Sequence, residues 1–166
     1  MVAKTEKEKN ILREGGKKLA KVMKEIQKTI RPGVSAAELD RLAESLIWSL
    51  GGKPSFKNYP SKSGAKPYPA SLCVSENNEV VHGIPNSKKI LQEGDIVSLD
   101  LGLKHKNLFT DMAITVPVGG VSAENKKLIE VTEQALYMGI DVARVGNTVG
   151  DISNSIEQFI RNRKEN

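Results

Sequence analysis

Two aspartates, Asp100 and Asp111, stand in adjoining stretches of alternating character. Gly94-Asp95-Ile96-Val97-Ser98-Leu99-Asp100-Leu101-Gly102-Leu103, the polar run Lys104-His105-Lys106-Asn107, and Leu108-Phe109-Thr110-Asp111-Met112-Ala113-Ile114-Thr115-Val116 read as a β-hairpin with a four-residue loop. A symmetric register pairs Leu103 with Leu108 and sets Asp100 directly opposite Asp111. Both carboxylates then share a face with the small residues Ser98, Gly102, Ala113 and Thr115. Val97, Leu99, Leu101, Leu103, Leu108, Met112 and Ile114 take the other face, so one side is core and the other is a candidate site. Carboxylates this close repel each other unless they share a proton or hold a cation. On spacing alone, an off-register hairpin with one aspartate solvated in a turn or capping a helix stays open. His105 falls at the tip of this hairpin, pointing away from the aspartates, and is not a candidate ligand.

The elements that would position this pair follow from periodicity. Leu12, Leu19, Val22 or Met23, Ile26 and Ile30 mark an amphipathic helix ending before Pro32-Gly33. Ser35-Ala36-Ala37-Glu38 is a capping box that opens a second helix carrying Leu39, Leu42, Leu46 and Ile47, which stops at Gly51-Gly52. Residues 54–69, rich in Pro, Ser, Lys and Gly, read as a long loop of the kind that often carries function. Strands are expected over residues 71–75, 79–81, 95–103 and 108–116. After Pro117 and Gly119-Gly120 a helical pattern resumes, with Leu128, Val131, Ala135 and Met138 on one face up to about Arg144.

A duplication is legible at a constant offset of 113 residues, where Arg31-Pro32-Gly33-Val34-Ser35 overlies Arg144-Val145-Gly146-Asn147-Thr148. Ser35 and Glu38 correspond to Thr148 and Asp151, Leu39 to Ile152, Leu46 to Phe159 and Ile47 to Ile160. Chance similarity between two amphipathic hairpins is the competing explanation. The reading is one domain over 1–166, with a first pseudo-repeat over 1–118 and the helical start of a second over 119–166. It implies that roughly 65 residues of a second β-half lie outside this chain.

Composition sets the wider limits. With 166 residues, 39% apolar and 27% charged, the chain matches one soluble globular domain and has no stretch that reads as a membrane helix. A single cysteine, Cys73, excludes an internal disulfide framework, and the charged N-terminus lacks a secretory pattern, which points to the cytoplasm. The net charge of +5 is concentrated at the start: residues 1–31 hold ten Lys or Arg against four Glu. Lys17, Lys18, Lys21, Lys24 and Lys28 form a stripe that is either a solvated helix face or a contact for RNA phosphates, as on a ribosome.

Upstream of the aspartates lie Tyr68-Pro69-Ala70-Ser71-Leu72-Cys73-Val74-Ser75 and Asn78-Glu79-Val80-Val81-His82-Gly83-Ile84-Pro85, followed by Gly94-Asp95-Ile96-Val97. In order and spacing this series resembles the type I methionine aminopeptidases over nearly the whole chain. The resemblance implies an α+β pita-bread fold with two divalent ions (Mn, Co, Fe or Zn) between its halves. It implies that Asp100 chelates one ion and Asp111 bridges both, that His82 touches substrate near the scissile amide, and that Tyr68 and Cys73 line the pocket for an N-terminal methionine. Without the motif, His82 reads as a hydrogen-bonded structural residue and Cys73 as a small core residue.

Members of that family continue into a second half that supplies a His and two Glu ligands, and no position here corresponds to them. Two carboxylates alone hold a transition metal weakly, so the chain by itself is expected to be inactive. An uncovered sheet edge or apolar face would favour self-association. Two further readings stand beside this one: a non-catalytic module contacting RNA or the ribosome through the basic first helix, and a related peptidase acting next to proline.

Overall fold

A computed structural model describes residues 3–60, 64 and 66–164. It divides the chain into two compact units, Met1–Val121 and Ser122–Asn166.

In the first unit, α1 (Glu6–Gln27) and α2 (Ala36–Ser49) both open on full capping boxes, from Thr5 with Glu8 and from Ser35 with Glu38. Gly33 joins them at φ 89°, a left-handed conformation that glycine adopts without steric cost. The strands are β1 (Lys53–Pro54), β2 (Leu72–Glu76), β3 (Ile96–His105) and β4 (Leu108–Pro117). All pairings are antiparallel and all run through β3: β4 flanks it along its whole length, while β2 and the short β1 follow one another along its opposite edge. The helices cover one face of this sheet. Leu19, Val22, Met23 and Ile26 of α1 and Leu39, Ala43 and Ile47 of α2 are buried with Leu72, Val74, Val97, Leu99, Leu101 and Leu103. Each large side chain withdrawn from water here contributes about 1.5–3 kcal/mol. Gly15 brings α1 close to β4, since a Cβ there would lie 3.2 Å from Thr110 Cγ2.

Three expectations are corrected. The hairpin loop is two residues long, not four: Lys106 and Asn107 take φ 45° and 68°, and His105 pairs with Leu108. Such a primed turn matches the twist of its strands, so pairing runs to the tip. Asp111 therefore sits opposite Gly102 and Asp100 opposite Ala113, and the aspartates are diagonal neighbours. The shift is two residues, and side chains alternate with period two, so both aspartates keep their shared face. His105 ends β3 with its side chain buried, rather than sitting in the loop. Residues 79–81 form no strand. Asn77 and His82 have φ 52° and 58°, which extended backbone cannot accommodate, and Val80 and Val81 are exposed. Of the long loop expected over 54–69, residues 61–63 and 65 lie outside the described residues.

The second unit is a helical hairpin of α3 (Ala123–Val142) and α4 (Val149–Lys164). Ala135 and Gly139 are the buried residues of α3, with Ile156 Cδ1 standing 2.9 Å from where a Cβ on Gly139 would be. Leu128, expected on the packed face, is exposed. Gly146 turns at φ 97°, and the Thr148 and Asp151 side chains make the reciprocal bonds of a capping box. Gly33 and Gly146, and the starts of α2 and α4, repeat at the offset of 113 read from the sequence.

Candidate metal centre

The face of the sheet opposite α1 and α2 carries Cys73, Ser75, Ser98, Asp100, Gly102, Asp111, Ala113 and Thr115, as the alternation of β2, β3 and β4 requires. Cys73 lies directly across from Asp100, and the Ser98 and Thr115 hydroxyls meet at 2.7 Å. Burial pushes the Asp100 carboxyl up from its ordinary range and repulsion from Asp111 adds to the effect, while the His82 imidazole opposes both. Burial also raises Asp111. Asp100 Oδ1 is buried and has no hydrogen-bond partner among the described residues. Such an orphaned oxygen costs at least about 1–3 kcal/mol.

A cleft of about 810 Å³ opens over this face, within the size range of small-molecule sites. Asp100, Cys73, Tyr68, Pro69 and His82 line it together with Phe56, Tyr59, Pro60, Lys66, Pro67 and Ile84. The loop that follows β1 builds one wall. Ser55 N–H donates to the Gly102 carbonyl at 3.2 Å, and a Cβ on Gly102 would lie 2.6 Å from Phe56 Cε1, so glycine there lets Phe56 close over the sheet. The loop's base is pinned by paired backbone bonds, Asn58 N–H to the Tyr68 carbonyl at 2.8 Å and Tyr68 N–H to the Tyr59 carbonyl at 3.1 Å.

Tyr68 and Cys73 are held neutral. The Tyr68 hydroxyl lies 3.3 Å from the Leu72 carbonyl and 3.1 Å from that of Gly83, and burial pushes the phenol far up, helped by Cys73. Burial also raises the Cys73 thiol; Tyr68 opposes this, and Asp100, Asp111 and Asp40 add to it. A neutral thiol and phenol beside Phe56 and Ile84 give the cleft a mostly apolar wall.

His82 reaches the rim through strained backbone. After β2 the chain turns at Asn77 and returns so that Gly83 exchanges bonds with β2: Val74 N–H donates to Gly83 O at 2.9 Å, and Gly83 N–H donates to Ser75 Oγ at 3.1 Å. A Cβ on Gly83 would fall 2.8 Å from the Val74 carbonyl carbon, so only glycine fits. His82 before it is held at φ 58°, a departure of the kind that clusters at functional sites. One supporting residue had no signal in the sequence. Asp40 of α2 accepts the Ser71 and Leu72 N–H groups at 2.8 and 2.9 Å, fixing where β2 begins.

All five residues singled out from the sequence thus fall on one side of the sheet or at its rim. The two carboxylates and the orphaned Oδ1 fit a divalent cation, but as part of a ligand set. Among the described residues no group of three or more His, Cys, Asp or Glu side chains could hold a metal ion. His105 faces α1, with Nε2 3.0 Å from Glu14 Oε2 and Nδ1 3.3 Å from Lys18 Nζ. The basic stripe of α1 is narrower than its sequence suggests, because Lys18 is turned to His105 and Lys28 is paired with Glu25 at 2.7 Å.

Metallopeptidase family M24 matches residues 10–165. Methionine aminopeptidase 1 of Bacillus subtilis (strain 168) is 43% identical over 164 residues, which are 99% of this chain and 63% of that protein. The methionine aminopeptidase of Thermotoga maritima superposes with a TM-score of 0.90 at 35% identity, covering 98% of this chain and 64% of that one. An Xaa-Pro dipeptidase from Bacillus anthracis shares the fold, with a TM-score of 0.82 at 24% identity. These likenesses bear out the α+β pita-bread architecture. The chain spans 63% of the Bacillus relative's length.

Proposed function

Because the chain belongs to metallopeptidase family M24, we propose that it carries part of the active site of a metal-dependent aminopeptidase that removes N-terminal methionine by hydrolysing the first peptide bond. The observation that carries this reading is the buried, unpartnered Asp100 Oδ1 on the face it shares with Asp111, at the wall of an apolar cleft. Asp100 and Asp111 would hold divalent ions, and oxygen ligation is compatible with Mn, Co, Fe or Zn. Bound there, such ions lower the pKa of water and stabilise an oxyanion.

The chain's own residues supply recognition. His82 at the rim would hydrogen-bond the scissile amide, and Tyr68, Cys73, Phe56 and Ile84 would receive an unbranched apolar side chain. Two carboxylates are too few for tight binding of a transition metal, so further ligands must join them for efficient turnover. This reading is preferred to RNA or ribosome contact through α1, because Lys18 and Lys28 are already engaged within the chain.

Calorimetric titration of Mn and Co into the chain, with Asp100→Asn and Asp111→Asn alongside, tests the assignment. Weak binding abolished by either substitution is expected, with little methionine released from a Met-Ala-Ser peptide. Binding that survives both substitutions would refute the metal assignment, rapid turnover by this chain alone would refute the need for further ligands, and cleavage confined to Xaa-Pro peptides would refute the methionine specificity.

A further inference from the structure

We propose that Glu79 and Lys89 are positioning residues for His82: their ion pair, seated on the outer edge of β2, clamps residues 77–83 and fixes the imidazole over the face that carries Asp100 and Asp111. This rests on the aminopeptidase reading above. His82 is exposed at the rim and held at φ 58°, a conformation that persists only where surrounding bonds over-determine it. Val80 and Val81 before it are 86% and 64% exposed, so burial contributes little to holding the segment. Its ends are tied by hydrogen bonds. Asn77 N–H donates to the Ile96 carbonyl at 3.0 Å and Asn77 Oδ1 accepts Ile96 N–H at 3.1 Å, while Gly83 exchanges bonds with Val74 and Ser75.

Between these ends the ion pair bridges loop and strand. Lys89 Nζ donates to Glu79 Oε2 at 2.5 Å and to the Val74 carbonyl at 3.1 Å, and the same Glu79 oxygen accepts Glu76 N–H at 2.9 Å. Val74 therefore binds Gly83 through its N–H and Lys89 through its carbonyl. Glu79 Oε2 also stands 2.9 Å from where a Cβ on Gly83 would lie, so the carboxylate packs directly against the residue that follows His82. The Lys89 side chain is only 12% exposed, and an ammonium so withdrawn from water needs an anionic partner. Lys89 in turn holds the Glu79 carboxyl below its ordinary range, with Glu76 N–H adding to the effect. Lys89 is itself fixed to the start of α2, because its carbonyl accepts Ala36 N–H at 2.8 Å and its N–H donates to Asn86 Oδ1 at 3.0 Å. A continuous set of contacts thus runs from α2 through Lys89 and Glu79 to His82, the support that a group meeting a scissile amide requires.

A purely architectural ion pair would hold the loop without setting where the imidazole stands, and the two roles separate experimentally. The test follows the isotope-labelled chain with Mn, whose paramagnetism broadens resonances steeply with proximity, in wild type, Lys89→Met and Glu79→Gln. In the wild type Mn should broaden the Asp100 and Asp111 amides and the His82 ring together. In both variants the His82 ring should lose much of its broadening while the aspartate amides keep theirs. The Val74 and Gly83 amides should exchange with solvent about two- to fivefold faster, the span of a partly exposed ion pair. Salt at about 1 M should move the wild type toward the variants and leave the variants unchanged. An unchanged ratio of His82 to Asp100 broadening in both variants would overturn the positioning role and leave the metal reading intact, even with faster exchange at Gly83. Broadening at neither Asp100 nor Asp111 in the wild type would overturn the metal reading and this inference with it.

Discussion

Replacing Asp100 with asparagine should stabilise the metal-free chain at neutral pH while destroying its affinity for Mn. At the roughly 7–8 Å of a diagonal ladder pair, two like charges cost about 0.5 kcal/mol in water and about 2 kcal/mol at an effective dielectric near 20. Asp111 is exposed, so solvent screening favours the lower figure. Removing the charge from a buried oxygen without a partner adds about 1 kcal/mol of the same sign, giving a gain of about 1–2 kcal/mol. In a domain of this size each kcal/mol moves the thermal midpoint by about 2–4 °C. The pH dependence has a definite sign. Asp100 and Asp111 are raised above their ordinary 3.8 in the folded chain, so their contribution is favourable below that value and is lost as pH rises through the folded value. The advantage of the variant therefore widens from acid toward neutral pH. Mn at a hundred times its Kd would add about 2.7 kcal/mol to the wild type and reverse the order. Urea unfolding followed by Trp48, the only tryptophan and part of α2, reads this out in EDTA and in Mn. A variant less stable than wild type in EDTA at pH 7 would refute the reasoning, because it would mean that Asp100 has a stabilising partner.

Other perturbations address the scaffold. Gly83→Ala should cost about 1–3 kcal/mol, since the new methyl meets the Val74 backbone, and should displace His82, visible as amide shifts confined to residues near it. Ser35→Ala removes the hydroxyl that accepts Glu38 N–H at 3.2 Å and should cost about 1 kcal/mol in urea unfolding. Glu14 is held down to about 2 by hydrogen bonds from Lys106 and then His105, so it stabilises the fold above its ordinary 4.5 and ceases to do so as pH falls toward 2. Glu14→Gln should flatten that part of the acid-unfolding profile, an effect that high salt diminishes because the group is exposed.

The helices and the chemistry of the hairpin were legible because each rests on local rules. Capping boxes at Ser35 and Thr148 announce where α2 and α4 begin, and alternation along β3 and β4 sorts Asp100 and Asp111 from Leu99, Leu101 and Met112. Register was harder. Lys106 is an unusual residue at φ 45°, so nothing local signals a two-residue turn, and the sequence pattern places His105 in the loop. Its burial depends on Glu14 and Lys18, 91 and 87 residues away. Residues 79–81 have strand-like composition, but Asn77 and His82 on either side adopt left-handed backbone, a tertiary outcome that propensity does not carry. The contribution of Lys66 and Phe56 to the cleft, and of Asp40 to β2, likewise arises only when distant segments meet.

The hairpin's geometry also bears on how such chains change length over evolutionary time. What keeps Asp100 and Asp111 together is the phase of each strand's pleat, and the number of residues between them is incidental. A residue added at the Lys106–Asn107 tip leaves both arms paired and both carboxylates on the open face. A residue added between 101 and 105, or lost between 108 and 110, would turn one carboxylate toward Leu99 and Leu101 beneath the helices, where a charge cannot be accommodated. Lineages carrying this half-site are thus free to lengthen the tip and constrained to conserve the arms.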